Sequence, residues 1–292
     1  MHNTIPMKLQ QPLILEAHAK INLSLNVLYR RPDGYHQLDS VFQRLSLHDT
    51  LTLASAADGI TLTSTNPELP LGPANLIYGA AALIQKEYGV DYGVSISLIK
   101  RIPVAAGLGG GSADAAAILR GLPGFWRLPA LPADRIPALA RALGADVLFC
   151  LFGVTARARG IGDLLEALPE FTGYDVLLIK PHARLSTASV YERLSVGDAP
   201  HPNVDRVIEA MRRKDLLTMG GVIGNTLEQA AFLMLPEIAE IKRLLQETGA
   251  PVVLMSGSGP TVFGLSGEPG WAAKTAPLMN RRGWWVITAR TA

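Results

Sequence analysis

A chain of 292 residues exceeds the usual size of one compact domain, so two lobes are expected. Its 48% hydrophobic and 18% charged residues suit a well-buried globular enzyme and exclude a disordered chain. A net charge of only +2 argues against nucleic acid or an anionic membrane as partner, and the single cysteine, Cys150, excludes an internal disulfide framework and an all-cysteine metal site.

In chain order, His2 and Lys8 lead into no long apolar stretch, so neither a secretory signal nor a transit peptide is expected. Residues 13–29 alternate: Ile21, Leu23, Leu25 and Val27 face one way, Lys20, Asn22, Ser24 and Asn26 the other. This predicts a half-buried strand carrying one ammonium and several hydrogen-bonding groups. Arg31-Pro32-Asp33-Gly34 is a tight turn with Tyr35 and His36 at its exit. Val41 to Leu53 reads as further strand. Asn75 opens a helix over Leu76 to Tyr88 that ends near Gly89.

Val94-Ser95-Ile96-Ser97-Leu98 alternates as a strand, and Pro103-Val104-Ala105-Ala106-Gly107-Leu108-Gly109-Gly110-Gly111-Ser112 follows before an Ala-rich helix running to about Leu122. Strand, glycine-rich loop and helix start form phosphate-binding hardware: bare backbone amides, unpaired N–H donors and a positive dipole end. No Lys follows Gly111, so the usual P-loop is excluded, and Ser112 breaks the dinucleotide fingerprint. The plain alternative is a flexible turn capped by Ser112.

A helix from about Arg135 to Leu143 stops at Gly144. Gly144-Ala145-Asp146-Val147 then starts a buried element, within which Cys150 is expected to be a buried, inert thiol. Gly153 to Gly162 reads as strand and turn. A lobe boundary is expected near Pro169, dividing 1–168 from 169–292. Tyr174 to Lys180 opens the second lobe as a strand. Pro236 starts a helix with Ile238, Ile241, Leu244 and Leu245 on one side and Gly249 at its end. Pro251 to Met255 is a strand, Ser256-Gly257-Ser258-Gly259 a loop, and Thr261 to Leu265 the returning strand. The mixed order predicts α+β layers. Apolar runs such as Val147 to Phe152 are far too short to span a bilayer, so a cytoplasmic protein is expected. No His/Cys/Asp cluster has transition-metal spacing, and nothing marks an oligomer interface.

Three segments together resemble the GHMP kinase superfamily of small-molecule kinases. They are Ala19-Lys20-Ile21-Asn22-Leu23 with the Asp33-Gly34-Tyr35-His36 turn, the loop from Pro103 to Ala116, and Met255-Ser256-Gly257-Ser258-Gly259. Asn75-Leu76-Ile77, Gly144-Ala145-Asp146-Val147, Ser186-Thr187-Ala188 and Asn225-Thr226-Leu227-Glu228 fall between them in the family's order. The resemblance implies a two-lobed GHMP-kinase-like α+β fold with mixed sheets and packed helices, the active site in the cleft between lobes. It implies ATP with Mg²⁺ as its companion, held mainly by phosphates and water. With the Asp33-Gly34-Tyr35-His36 turn, the resemblance implies as acceptor a cytidine diphosphate derivative of methylerythritol, phosphorylated on its 2-hydroxyl.

Carried residue by residue, the resemblance makes 1–168 the ATP-binding lobe. Pro103, Ala106, Gly107, Leu108, Gly109, Gly110, Gly111 and Ser112 hold the nucleotide, with Asn75 and Lys100 near it. Asp146 is the expected general base and Lys20 its partner. Asn22, Tyr35, His36, Thr187, Tyr191, Gly257 and Ser258 are the expected acceptor contacts. Read from the residues alone, Asp146 is equally a helix cap, Lys100 a solvated strand-end charge, Lys20 a surface lysine and Tyr191 ordinary packing. Ala105 and Ala106 depart from the family's glycines, Leu148 from a Pro, Thr226 from an Asp and Pro260 from a small residue. The competing readings are another acceptor (mevalonate, phosphomevalonate, homoserine or a sugar) and a nucleotide-binding protein without catalysis.

Overall fold

The computed structural model describes residues 11–280 and 283–292; the reading made on His2 and Lys8 lies outside them. The chain divides into two compact units that interleave along the sequence. The first takes residues to His18, His48–Arg101 and Gly110–Leu151; the second takes Ala19–Leu47, Ile102–Gly109 and Phe152–Ala292. The boundary expected at 168/169 therefore falls inside the second unit. Hydrophobic patterning along a chain marks elements, but it does not say which distant elements share a core.

In the first unit, the later part of β2 (His36–Ala56) pairs antiparallel with β4 (Gly93–Ile99), and β3 (Ile60–Ser64) runs parallel to β4. Helices α1 (Leu76–Tyr88) and α2 (Gly110–Phe125) pack together. α3 (Ile136–Leu143) contacts both, and α4 (Val147–Phe152) follows it in sequence. Their core joins Leu51, Leu53, Ile77, Ile84, Ile96, Leu98, Ile118 and Leu122. The element opening at Asp146 is thus a short helix, and Cys150 in it is half-buried rather than buried.

In the second unit, β1 (Leu13–Arg30) pairs with β2, whose early part pairs with β5 (Ala156–Gly160); β6 (Leu164–Ala167) extends β5. A second sheet has the antiparallel order β10 (Trp285–Arg290), β7 (Asp175–Lys180), β9 (Val262–Ser266), β8 (Val252–Met255). Both faces of this sheet are buried. Val176, Leu178, Phe263 and Leu254 enter one core with Ile21 and Leu23 of β1. Leu177, Ile179, Val262 and Val253 enter another with α9 (Glu237–Glu247) and α10 (Trp271–Met279). Double-sided burial explains why β7 and β8 are continuous apolar runs rather than alternating ones. The described residues of this unit also form α5 (Thr187–Arg193), α6 (Val204–Arg212), α7 (Leu216–Val222) and α8 (Glu228–Met234).

The polar side of β1 corrects the half-buried expectation. Lys20, Asn22 and Ser24 are as deeply buried as the apolar side, at 4%, 2% and 0% exposure. Loops from elsewhere in the second unit cover them, which period-two alternation does not reveal.

Candidate active site

Between β4 and α2 the chain makes the glycine loop. Gly107 and Gly109 take φ of 73° and 67°, in the left-handed region that favours glycine. Ala105 takes φ of 51°, so the alanine that departs from the family's glycine does occupy a left-handed position. The helix begins at Gly110, two residues before Ser112, and Gly111 is exposed. The first N–H groups of α2 lack intrahelical carbonyl partners and carry the positive end of the dipole.

In the second unit two glycine loops meet over β1. The Ser256 hydroxyl donates to the Gly107 carbonyl at 2.8 Å, and the Asn22 N–H donates to the same hydroxyl at 3.4 Å. A Cβ on Gly107 would lie 2.2 Å from the Ser256 carbonyl oxygen, so only glycine allows this approach. The Lys20 N–H donates to the Leu108 carbonyl at 3.0 Å, and a Cβ on Gly109 would lie 2.9 Å from Lys20 Cγ. The lysine stem therefore packs under the loop. Its Nζ donates to Asn22 Oδ1 at 2.9 Å and lies 4.8 Å from the centre of the Phe42 ring. Asn22 in turn donates to the Ser40 hydroxyl at 2.9 Å, and Ser40 donates to the Ser24 carbonyl at 2.6 Å. A buried, oriented ammonium replaces the surface-lysine alternative.

The same unit brings together other expected acceptor contacts. His36 and Tyr191 rings lie 4.8 Å apart at 35°. Burial, then the nearby charge of Arg30, holds the His36 pKa below its ordinary value, favouring the neutral ring. Tyr35 stands at the turn exit and is 60% exposed. Thr187 and Ser258 hydroxyls are 2.8 Å apart, and Gly257 lies beside Asn22 and Gly107. The Asn225 amide donates to the carbonyls of Met255 and Gly257, fixing the second loop. Thr226, which departs from the family's Asp, donates its hydroxyl to the Leu25 carbonyl at 3.2 Å and accepts from the Val27 N–H at 3.2 Å. An ionised Asp offers no proton for the first of these bonds. The Gly259–Pro260 peptide is cis, and the Ser256 N–H closes the loop on the Thr261 carbonyl.

In the first unit Asn75 caps α1: its Oδ1 accepts from the Ile77 N–H, and its amide donates to the Pro70 carbonyl. Asp146 is half-buried at the entrance of α4, where its carbonyl accepts from the Cys150 N–H. Lys100 is not the solvated charge that its strand-end position allowed. Its Nζ donates to Asp49 at 2.5 Å and Asp114 at 2.6 Å, with 4% of the side chain exposed. The Arg101 N–H donates to the other Asp49 oxygen. Desolvation, opposed by the Lys100 charge and aided by the Asp49 charge, raises Asp114 to about 7. For Lys100 desolvation is outweighed by the Asp114 and Asp49 charges, and the pKa is raised.

Among the described residues Glu16, His18 and His48 form a group with metal-ligand spacing, their ligand atoms all within 4.8 Å. The sequence showed no such cluster because His48 comes from a different strand. Two imidazoles with one carboxylate suit a transition ion rather than Mg²⁺, whose preferred ligands are oxygens.

A glycine loop leading into a helix start, a second glycine loop docked on the first, and a buried lysine beneath define a small-molecule kinase class. The family models "GHMP kinases N terminal domain" and "GHMP kinases C terminal" match residues 75–154 and 207–275. The chain belongs to the GHMP kinases. Within them it stands with the 4-diphosphocytidyl-2-C-methyl-D-erythritol kinases. It is 45% identical to that enzyme from Geobacillus sp. (strain WCH70) over 87% of this chain and 88% of the relative. It is 46% identical to the Bacillus cytotoxicus enzyme over the same shares. A crystal structure of a 4-(cytidine 5'-diphospho)-2C-methyl-D-erythritol kinase superposes with a TM-score of 0.81 at 37% identity, covering 96% of this chain and all of the other. Homoserine kinase from Cytophaga hutchinsonii, at 18% identity and TM-score 0.76 over 97% and 95%, shares the fold.

Residue-level reading missed Asp49 and Asp114 as partners of Lys100 in the first unit, and Ser40 and Asn225 as supports of β1 and the second loop in the second unit. Asp114 left a signal, as a lone charge in the run Ala113 to Ala117 at the start of a buried helix. Asp49 and Ser40 left none, because their partners lie on other elements.

Proposed function

We propose that the protein transfers the terminal phosphoryl group of ATP to the 2-hydroxyl of 4-diphosphocytidyl-2-C-methyl-D-erythritol, a step of non-mevalonate isoprenoid precursor synthesis, in the cytoplasm. The observation that carries the reading is the pair of interlocked glycine loops with Lys20 buried beneath them, in a chain 45% identical to kinases of that name. Backbone N–H groups from Gly107 to Ser112 and the α2 dipole bind the phosphates, and Mg²⁺ travels with them on phosphate and water ligands. No protein side chain is assigned to the ion.

Phosphoryl transfer asks the protein chiefly for positioning and charge stabilisation. In this reading Asp146 accepts the proton of the attacking hydroxyl. Lys20, held by Asn22, counters the charge that develops on the transferring group. His36 and Tyr191, with Tyr35 at the turn, receive the cytosine ring through their flat faces. Thr187, Ser258 and the Gly257 backbone meet the acceptor's diphosphate or polyol, and Asn75, Lys100, Pro103 and Ala106 shape the nucleotide side.

Purified protein with ATP, Mg²⁺ and the named acceptor should yield ADP and a new phosphomonoester. Asp146→Ala should lower kcat at least about 100-fold, the usual scale for a general base, and Lys20→Met comparably. Wild-type turnover no faster than Asp146→Ala would count against the catalytic reading. Turnover confined to mevalonate, phosphomevalonate, homoserine or a sugar in the same coupled ADP assay would move the acceptor.

A further inference from the structure

We propose that Asp114 is a positioning residue for the nucleotide: through Lys100 and Asp49 it anchors the first turns of α2, so that the amides of Gly110, Gly111 and Ser112 keep one orientation. This deepens the reading above and rests on it in one respect, that this helix start receives ATP phosphates.

The geometry is specific. Asp114 lies four residues into α2, one turn below the amides. Its Oδ2 accepts from Lys100 Nζ at 2.6 Å, while Oδ1 is buried with no hydrogen-bond partner. Lys100 sits just past the end of β4, where its own N–H donates to the Thr65 hydroxyl at 3.0 Å. Its Nζ reaches Asp49 on β2, and Asp49 also accepts from the Arg101 N–H at 2.5 Å. One ammonium thus ties the helix to two strands at the point where the chain leaves β4 for the loop.

Burying ions in this way costs desolvation and adds little net stability. An apolar pair would hold the helix to the sheet with less penalty, and the other buried residues from Ala113 to Leu122 of α2 are alanine, isoleucine and leucine. A directional contact does what an apolar one does not: it sets rotation and height of the helix start to a fraction of an ångström, the tolerance that phosphate positioning demands. The arrangement also explains why Lys100, whose place in the sequence suggests a direct nucleotide contact, has its ammonium committed to carboxylates.

The test compares wild type, Asp114→Asn, Asp114→Ala and a destabilised control, Ile84→Val, in the core that α1 and α2 share. ATP binding is measured by calorimetry, and KM for ATP, KM for the acceptor and kcat by the ADP assay, with melting temperature recorded for each. Asp114→Ala should weaken ATP binding and raise its KM about tenfold, equivalent to about 1.4 kcal/mol, with the acceptor KM within about threefold. Asp114→Asn, which keeps an acceptor for Lys100, should fall between the two, and the control should bind ATP like wild type. If Asp114→Ala does not fold, Asp114→Asn carries the test alone, with a KM for ATP raised by more than about twofold. Folded variants whose ATP affinity stays within about twofold of wild type would overturn the inference while wild-type turnover still stood. Failure of wild type itself to bind ATP would overturn both readings together.

Discussion

Asp114 shows how one side chain acquires a property its type does not have. Its carboxyl is raised from an ordinary value of 3.8 to about 7 by burial first and by Asp49 beside it, with Lys100 opposing. Arg101 faces the same carboxylate group of Asp49 through its N–H. The sign for stability follows from linkage. Between roughly pH 4 and 7 the folded state keeps a proton that the unfolded chain has released, so stability falls as pH rises across that window. Above it this group adds no further slope. Denaturation of wild type and Asp114→Asn from pH 4 to 9 should therefore show a difference that changes across the window and levels off beyond it. A constant difference throughout would mean that Asp114 ionises normally. His36 behaves oppositely to an ion-paired histidine: its lowered pKa keeps the ring neutral at pH 7, the form suited to stacking.

At the scale of an element, the loop between β4 and α2 is set by backbone constraints at single positions. Gly107 is held at φ of 73° with the Ser256 carbonyl where a Cβ would be. Gly107→Ala should cost on the order of 3 kcal/mol, read as a lowered denaturation midpoint, because backbone would have to move on both loops. Ala105, at φ of 51°, offers the reciprocal case. Ala105→Gly should raise stability by about 1 kcal/mol, the usual penalty of a left-handed alanine. An unchanged midpoint in both variants would contradict the loop geometry. These elements were largely legible beforehand. The cap at Asn75, the helix to Tyr88 and the ending at Gly89, with φ of 64°, follow from side-chain chemistry within a few residues. The polar face of β1 is more deeply buried than its half-buried alternation predicts, because its cover comes from residues 107–109 and 256–257.

For the whole molecule, interleaving matters more than order. Ile21, Leu23, Val41 and Leu45 share a core with Val176, Leu178, Phe263 and Leu265 in the second unit. A fragment ending at residue 168 lacks those partners and would expose that apolar face of β1 and β2. Expressed alone, 1–168 keeps all of the first unit but should show no native-like amide dispersion for Ala19–Leu47, whose core partners it lacks. Native-like dispersion in that segment would mean that the sequential halves are independent domains after all. Among the described residues no helix is long and apolar enough to cross a membrane.

The sequence by itself determined the strand, glycine loop and helix start around residues 107–112, the helix from Asn75 to Gly89, the α9 helix with the strand pair after it, and which family the order of motifs joins. Each rests on local physics: φ limits, capping chemistry and the periods of helix and strand. Tertiary structure alone decided that Lys20 is buried under the loops, that Lys100 is claimed by Asp49 and Asp114, and that Glu16, His18 and His48 converge. Asp49 and Lys100 are 51 positions apart. A contact over such a span depends on how the sheet registers and where the helix docks, and no local residue pattern encodes either.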